Sequence, residues 1–323
     1  MYKWVPCEGP SAGALARMRE RFPKPPEPMG EAWFLSPERE RFTRLADEPV
    51  AEVDADYLLT CLFEITSGTS SFGRMEEWER WFRFLLPDLV LRAHERHALT
   101  FLLEETVNAF MVIFWDGLGG EYAGFREDAL QTLGRCLMKG EFWEGCGREA
   151  GGPPRARFLR WGDGEDANRP APWDAGSASA VLSASLFFCL KYLPAGEVPA
   201  WAESVASVED PYFRGALVVW LLGALDLLSE ERPRAARIEK TNPRVRWHSS
   251  FLLGSSSESK NPTNERLRFL PRENCEAFVR WVRRRVTPEA LVAWADSFSE
   301  DGVLSEVLLN APELLFDKLL KWG

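Results

Sequence analysis

The sequence predicts an all-α protein, organised as a helical bundle or as an irregular α-solenoid of antiparallel helix pairs. Apolar residues recur at helical spacing along most of the 323-residue chain. No segment of useful length shows the alternating pattern or the richness in β-branched residues that is typical of a strand. Helix-starting signals also precede apolar runs, as in Asp210-Pro211, where an N-cap residue is followed by proline.

The predicted helices follow one another from residue 36 onwards. Ser36-Pro37 begins a short helix, Pro87 is expected to kink or break a longer one, and Gly140 is placed to end another. The other helices are expected at 57–65, 75–86, 89–115, 125–138, 178–193, 198–207, 210–228, 273–286, 287–298, 303–309 and 312–321.

The most apolar stretch, residues 208–228, could be a membrane span, a core helix or one unit of a helical repeat. Its uninterrupted apolar run covers only the ten residues 216–225 before Asp226, whereas a span needs about 20. We therefore expect a core helix surrounded by other helices, and no membrane partner.

The chain is expected to contain four regions. Residues 1–30 are rich in proline and glycine and should form an irregular N-terminal segment. Residues 31–230 should form a body resembling a helical repeat, with a long loop at 145–176. Residues 231–272 read as a basic, irregular linker, and 273–323 as C-terminal helices packed on the body.

The composition favours a cytoplasmic protein without a cofactor. There are 39 basic and 49 acidic residues, and a net charge of −10 disfavours nucleic acid and anionic membranes as partners. The six cysteines contain no CxxC pair and read as buried thiols of a reducing compartment. The N-terminus lacks the apolar core of a signal peptide. Two acids within apolar helices, Glu64 and Asp226, are expected to form structural ion pairs.

The segment DPYFRGALVVWLLGAL, which begins at Asp210 and includes Arg214, Ala216 and Leu217, resembles the second helix of a HEAT or armadillo-type repeat. FREDALQTLG at 125–134 is a second, weaker copy, so the resemblance covers about two units. The resemblance implies a helical scaffold that binds other macromolecules, and it transfers no catalytic residues.

The sequence contains one candidate metal or acid/base site. His94 and His97 lie three residues apart on one predicted helix, with Glu104 or Glu105 two to three turns further on. The spacing is one residue short of HExxH, and the alternative is a solvated helix face carrying two exposed histidines.

Charge is the strongest asymmetry in the sequence. Residues 232–285 contain 14 basic and five acidic residues, whereas both flanking regions are acidic. This basic segment could pack on the acidic body of its own chain, dock a protein partner or hold phosphates. The candidate partner-binding residues are Arg244, Arg246, Trp247, Arg280, Trp281, Arg283, Arg284 and Arg285.

Taken together, these features predict a non-catalytic, protein-binding scaffold. The best-fitting class is a bacterial immunity or antitoxin-type protein that neutralises a partner, for example a basic toxin or effector, by sequestration. One alternative is a helical-repeat protein that binds nucleic acid through 232–285. Another is a metal-dependent enzyme around His94 and His97.

Overall fold

A computed structural model describes residues 9–30, 42–72, 76–95, 100–136, 173–245, 247, 269–300, 302–308 and 310–320. These residues contain 13 α-helices, a few short 3₁₀ helices and no strand. The all-α prediction is confirmed. The described residues divide into two units: those within 8–136 form the N-terminal unit, and those within 137–248 and 268–323 form the C-terminal unit. The sequence predicts a single body over 31–230, whereas the structure divides this region after residue 136.

The N-terminal unit is built around one buried helix. Its helices are α1 (Ala12–Arg21), α2 (Thr43–Asp47), α3 (Ala55–Phe72), α4 (Glu76–Glu95), α5 (Thr100–Ile113) and α6 (Phe125–Gln131). Every position of α5 from 102 to 111 is buried, because α3 and α4 pack against it. Phe110 of α5 and Phe114, directly after this helix, contact each other with ring centroids 4.6 Å apart, and both contact Phe125 at the start of α6. This apolar cluster holds the unit together.

One sequence prediction fails in this unit. Residues 12–21 form a regular helix where irregular structure was expected, because Ser11 caps α1 and Ala14, Leu15 and Met18 bury one face of it. The prolines of this region lie outside the helix. Of the kink or break predicted at Pro87, the break does not occur, because α4 continues through this residue. Pro87 and the preceding Leu86 are both buried, and we attribute the continuity to that packing.

A buried carboxylate joins α1 to α6. Arg17 donates to Asp128 from Nε to Oδ2 at 3.1 Å and from Nη2 to Oδ1 at 2.5 Å. The hydroxyl of Tyr122 donates to Oδ2 of the same carboxylate at 2.8 Å. Burial raises the pKa of Tyr122, and this hydrogen bond raises it further. Asp128 is therefore the shared acceptor between the two helices.

Replacing Asp128 with asparagine is expected to lower the free energy of unfolding by about 1–2 kcal/mol, because a neutral amide cannot accept both donors equally well. The matched control is Asp88→Asn, which removes the exposed pair of Arg19 and Asp88 at 2.8 Å. Exposed pairs contribute less than about 1 kcal/mol. Urea denaturation followed by circular dichroism measures both variants. Equal losses in the two would show that the Asp128 cluster is no more stabilising than a surface pair.

The C-terminal unit surrounds the apolar helix that the sequence singled out. Its helices are α7 (Trp173–Tyr192), α8 (Val198–Ala206), α9 (Pro211–Leu228), α10 (Arg272–Arg285), α11 (Pro288–Ser299), α12 (Gly302–Leu308) and α13 (Ala311–Leu320), with 3₁₀ helices at Ala195–Glu197 and Ala235–Lys240. The side chain of Asp210 caps α9 by accepting from the Phe213 amide at 2.8 Å, and Pro211 is its first residue, as predicted.

Helix α9 is the core of this unit. Helices α7, α10, α11, α12 and α13 all pack against it. Within the described residues it is the one helix long and apolar enough to suit a membrane, and 72% of that stretch is buried. Lys318 of α13 donates to Asp226 at 2.8 Å and to the Leu222 carbonyl at 2.5 Å. The ion pair predicted for Asp226 is thus confirmed, whereas no ion pair is recorded for Glu64 with any described residue.

The predicted linker is partly a packed element. Within 231–272, the structure describes 231–245, 247 and 269–272, and this part includes the 3₁₀ helix Ala235–Lys240. Ala235, Ile238, Val245 and Trp247 are all buried, which a free linker would not allow. Residues 254–265, which read as a flexible link, lie outside the described residues. So does the predicted loop at 145–176, apart from 173–176 at the start of α7.

Candidate partner-binding surface

The eight predicted partner-binding residues differ in their exposure. Four arginines are exposed, and Arg285 is half-buried. The two tryptophans are buried. Arg246 lies outside the described residues. The exposed four are Arg244, Arg280, Arg283 and Arg284.

Trp247 and Trp281 belong to the core of the C-terminal unit, which corrects the prediction that they contact a partner. Trp247 is 8% exposed, and its ring centroid lies 5.2 Å from that of Phe187 and 5.3 Å from that of Phe269. Trp281 is 7% exposed, and its Nε1 donates to a carboxylate oxygen of Glu203 at 3.0 Å. Large aromatic side chains suit cores and interfaces equally, so their type alone could not separate the two.

The last turn of α10 carries part of the predicted surface. Arg283 and Arg284 are exposed there and Arg280 is exposed one turn earlier, while Arg285 donates from Nε to Glu203 at 3.2 Å. Positive charge at a helix C-terminus is favoured by the helix dipole. These arginines therefore have a local structural role in addition to any role in binding.

A second set of cations lies on the packed part of the predicted linker. The 3₁₀ helix Ala235–Lys240 is anchored by buried Ala235 and Ile238. The hydroxyl of Thr241 donates to the Ile238 carbonyl at 2.8 Å and accepts from the Val245 amide at 2.8 Å. These contacts fix residues 233–245, which we call the platform, as one folded element.

The platform lies directly on α9 at Gly223. A Cβ atom added to Gly223 would lie 2.3 Å from the Pro243 carbonyl oxygen and 2.9 Å from Cγ2 of Val245. Real Cβ contacts are not this short, so only glycine allows the platform backbone to approach α9 so closely. A single glycine therefore sets the position of the platform.

The outward side of this region carries a row of exposed cations, which we call the basic row: Arg232, Arg234, Arg237, Lys240 and Arg244. In a 3₁₀ helix, side chains three residues apart are aligned, which places Arg237 and Lys240 on one side. Arg234 precedes them at the N-cap, and its carbonyl accepts from the Arg237 amide at 2.9 Å. The acidic Glu239 shares a different side of the helix with Ala236.

Most of the basic row is not neutralised by the described part of the chain. Arg237 donates to Glu230 at 2.9 Å, but no ion pair is recorded for Arg232, Arg234, Lys240 or Arg244 with any described residue. The view that the basic segment only packs on acidic parts of its own chain does not account for these four. Of these four, only Arg244 was predicted from the sequence to contact a partner, although the spacing of 234, 237 and 240 could have indicated the row.

The histidine site is not assembled within the described residues. His94 lies in the last turn of α4 and is half-buried. A Cβ added to Gly9 would lie 2.4 Å from Nε2 of His94, and Nδ1 of His94 is 3.4 Å from the Cys136 carbonyl oxygen. Glu104 and Glu105 are buried in α5, and His97 lies outside the described residues. No group of three potential metal ligands occurs in the part of the chain that is described.

The described cysteines are buried free thiols, as predicted: Cys61, Cys136, Cys189 and Cys275. Burial raises the pKa of Cys61 and of Cys275 to about 12, which keeps both thiols protonated at neutral pH. Cys7 and Cys146 lie outside the described residues.

The fold and this surface define the chain as an all-α protein with an exposed basic row on a packed 3₁₀ platform. No protein-family model matches the chain, and no curated protein or solved structure matches it either. The resemblance to HEAT or armadillo-type repeats stays a prediction, since the helices of the described residues do not by themselves demonstrate a repeat.

Proposed function

We propose that the protein is a non-catalytic, protein-binding scaffold of the bacterial immunity or antitoxin type, acting in the cytoplasm, which neutralises a partner protein by covering its active site. The observation that supports this proposal best is the basic row, whose cations extend outward from a platform anchored by apolar contacts. Charged groups on a fixed element give an interface its specificity and its rate of association.

Binding of nucleic acid through residues 232–285 is the second candidate function, because the same exposed cations could contact phosphates. The net charge of −10 disfavours it. The third, a metal-dependent enzyme around His94 and His97, gains no support from the packing of His94 against Gly9.

The experiment is affinity purification of the full-length protein from its native cells at low and high salt, followed by mass spectrometry and by an assay for bound nucleic acid. We expect one stoichiometric protein partner that is lost at high salt, because salt screens exposed charges. Adding one equivalent of the purified scaffold should then abolish the activity of that partner. Recovery of nucleic acid alone would contradict the proposal, and so would a partner whose activity is unchanged in the complex.

A further inference from the structure

We propose that an acidic, extended segment of the partner protein docks along the basic row, with glutamate or aspartate at alternate positions contacting Arg234, Arg237 and Lys240 in turn. This inference rests on the proposed function, and it names the binding surface and the chemistry of its ligand. It also replaces the basic partner that the net charge of the chain had suggested.

The spacing of the row fits an extended peptide. A 3₁₀ helix rises about 2.0 Å per residue, so cations three residues apart are about 6 Å apart along its axis. An extended strand rises about 3.3 Å per residue and places alternate side chains on one side, about 6.6 Å apart. Carboxylates at every second position of such a strand therefore match successive cations of the row.

The chemistry of the row favours carboxylates. Arginine has five donors in a planar fork and binds carboxylates with two parallel hydrogen bonds. Arg237 uses Nε to contact Glu230 and is still 53% exposed, so part of its fork faces solvent. Arg234 and Lys240 form no ion pair with a described residue, so docking there breaks no salt bridge within the described part of the chain.

The row is also preorganised. Ala235 and Ile238 are buried beneath it, Thr241 bridges Ile238 and Val245, and the Pro243 carbonyl is in close contact with Gly223. The backbone that carries the cations is therefore ordered before a partner arrives. Binding then avoids much of the entropy loss that ordering a flexible segment would require.

A protein segment fits the row better than nucleic acid does. Single-stranded nucleic acid is usually held by exposed aromatic rings together with positive charge. The tryptophan that follows the platform, Trp247, is buried and offers no stacking surface. Positions 234, 237 and 240 extend over about 12 Å, which suits a few residues of peptide. A chain of net charge −10 also repels a long polyanion.

The test uses a fluorescein-labelled peptide with glutamate at every second position and serine between, and measures its binding to the full-length protein by fluorescence anisotropy at low salt. The variant Arg234→Gln with Lys240→Gln removes two cations of the row. The matched control, Arg21→Gln with Arg126→Gln, removes two exposed arginines of the N-terminal unit. We expect the row variant to bind the peptide about fivefold more weakly, whereas the control binds within about twofold of the unchanged protein.

Several outcomes would overturn the inference. Equal weakening in the two double variants would mean that only net charge matters. Absence of binding to the unchanged protein would also overturn the inference. So would a DNA oligonucleotide of equal charge that binds more tightly than the peptide and depends on the row. If the row variant fails to fold, as judged by circular dichroism, the single variants Arg234→Gln and Lys240→Gln replace it, and each is expected to weaken binding of the peptide more than either single control variant does.

The inference and the proposed function can fail separately. A purified partner whose inhibition is unaffected by the row variant would leave the scaffold function standing and would overturn the docking surface. Conversely, row-dependent binding of the peptide without any inhibited partner would support the surface while contradicting the immunity-type function.

Discussion

Replacing Trp247 with alanine is expected to lower the free energy of unfolding by about 3–5 kcal/mol, the usual cost of removing a large aromatic side chain from a core. The residue is 8% exposed, and its ring packs against those of Phe187 and Phe269, with centroids 5.2 and 5.3 Å away. Phe187 in turn contacts Trp220 of α9 at 5.3 Å. A cavity here therefore loosens the contacts between the platform end and α9. Denaturation by guanidinium, followed by circular dichroism, measures the loss.

The control for this change is Trp247→Phe. The indole Nε1 of Trp247 makes no hydrogen bond with any described residue, so phenylalanine keeps the stacked ring and loses volume alone. We expect a loss of about 1 kcal/mol, as for other moderate reductions in core volume. An alanine variant with unchanged stability but impaired partner binding would show instead that Trp247 is a contact residue.

Replacing Gly223 with alanine is expected to destabilise the C-terminal unit by about 1–3 kcal/mol, as overpacking usually does. Two effects of opposite sign compete at this position. Alanine favours a helix over glycine by about 1 kcal/mol, but its Cβ would lie 2.3 Å from the Pro243 carbonyl oxygen. Because that oxygen belongs to the backbone, the platform must move as a whole, and we expect the steric cost to exceed the gain in helix propensity.

Gly196→Ala is the matched control, because nothing lies within 4 Å of a Cβ built at Gly196. Its stability should equal or slightly exceed that of the unchanged protein. Gly223→Ala should also weaken binding of the glutamate peptide although every cation of the basic row is retained. A Gly223→Ala variant that is more stable than the unchanged protein would mean that the platform does not lie against α9 at this point.

Local signals in the sequence were sufficient for the fold class and for the central helix. Asp210-Pro211 and the apolar run after it predicted where α9 begins and that it is buried, because capping and hydrophobicity act within a few residues. Helix α1 was missed because the prolines around it outweighed the short apolar pattern of Ala14, Leu15 and Met18.

The surface was harder to predict than the fold, because it depends on contacts between residues far apart in sequence. Residues 233–245 have the composition of a linker, and their internal contacts and their packing on Gly223 make them a folded platform. The burial of Trp247 depends on Phe187, 60 positions earlier in the sequence. The excess of positive charge was visible in the sequence, but which cations have internal partners was not.

The division of the platform into an apolar underside and a charged outer side has an evolutionary consequence. Ala235, Ile238 and Val245 maintain the fold, whereas positions 234, 237 and 240 carry exposed side chains whose exchange alters little of the packing. Under the proposed function, binding specificity can therefore change at nearly constant stability. Substitutions at a few surface positions then adapt this surface to a changed partner, and each intermediate variant still folds.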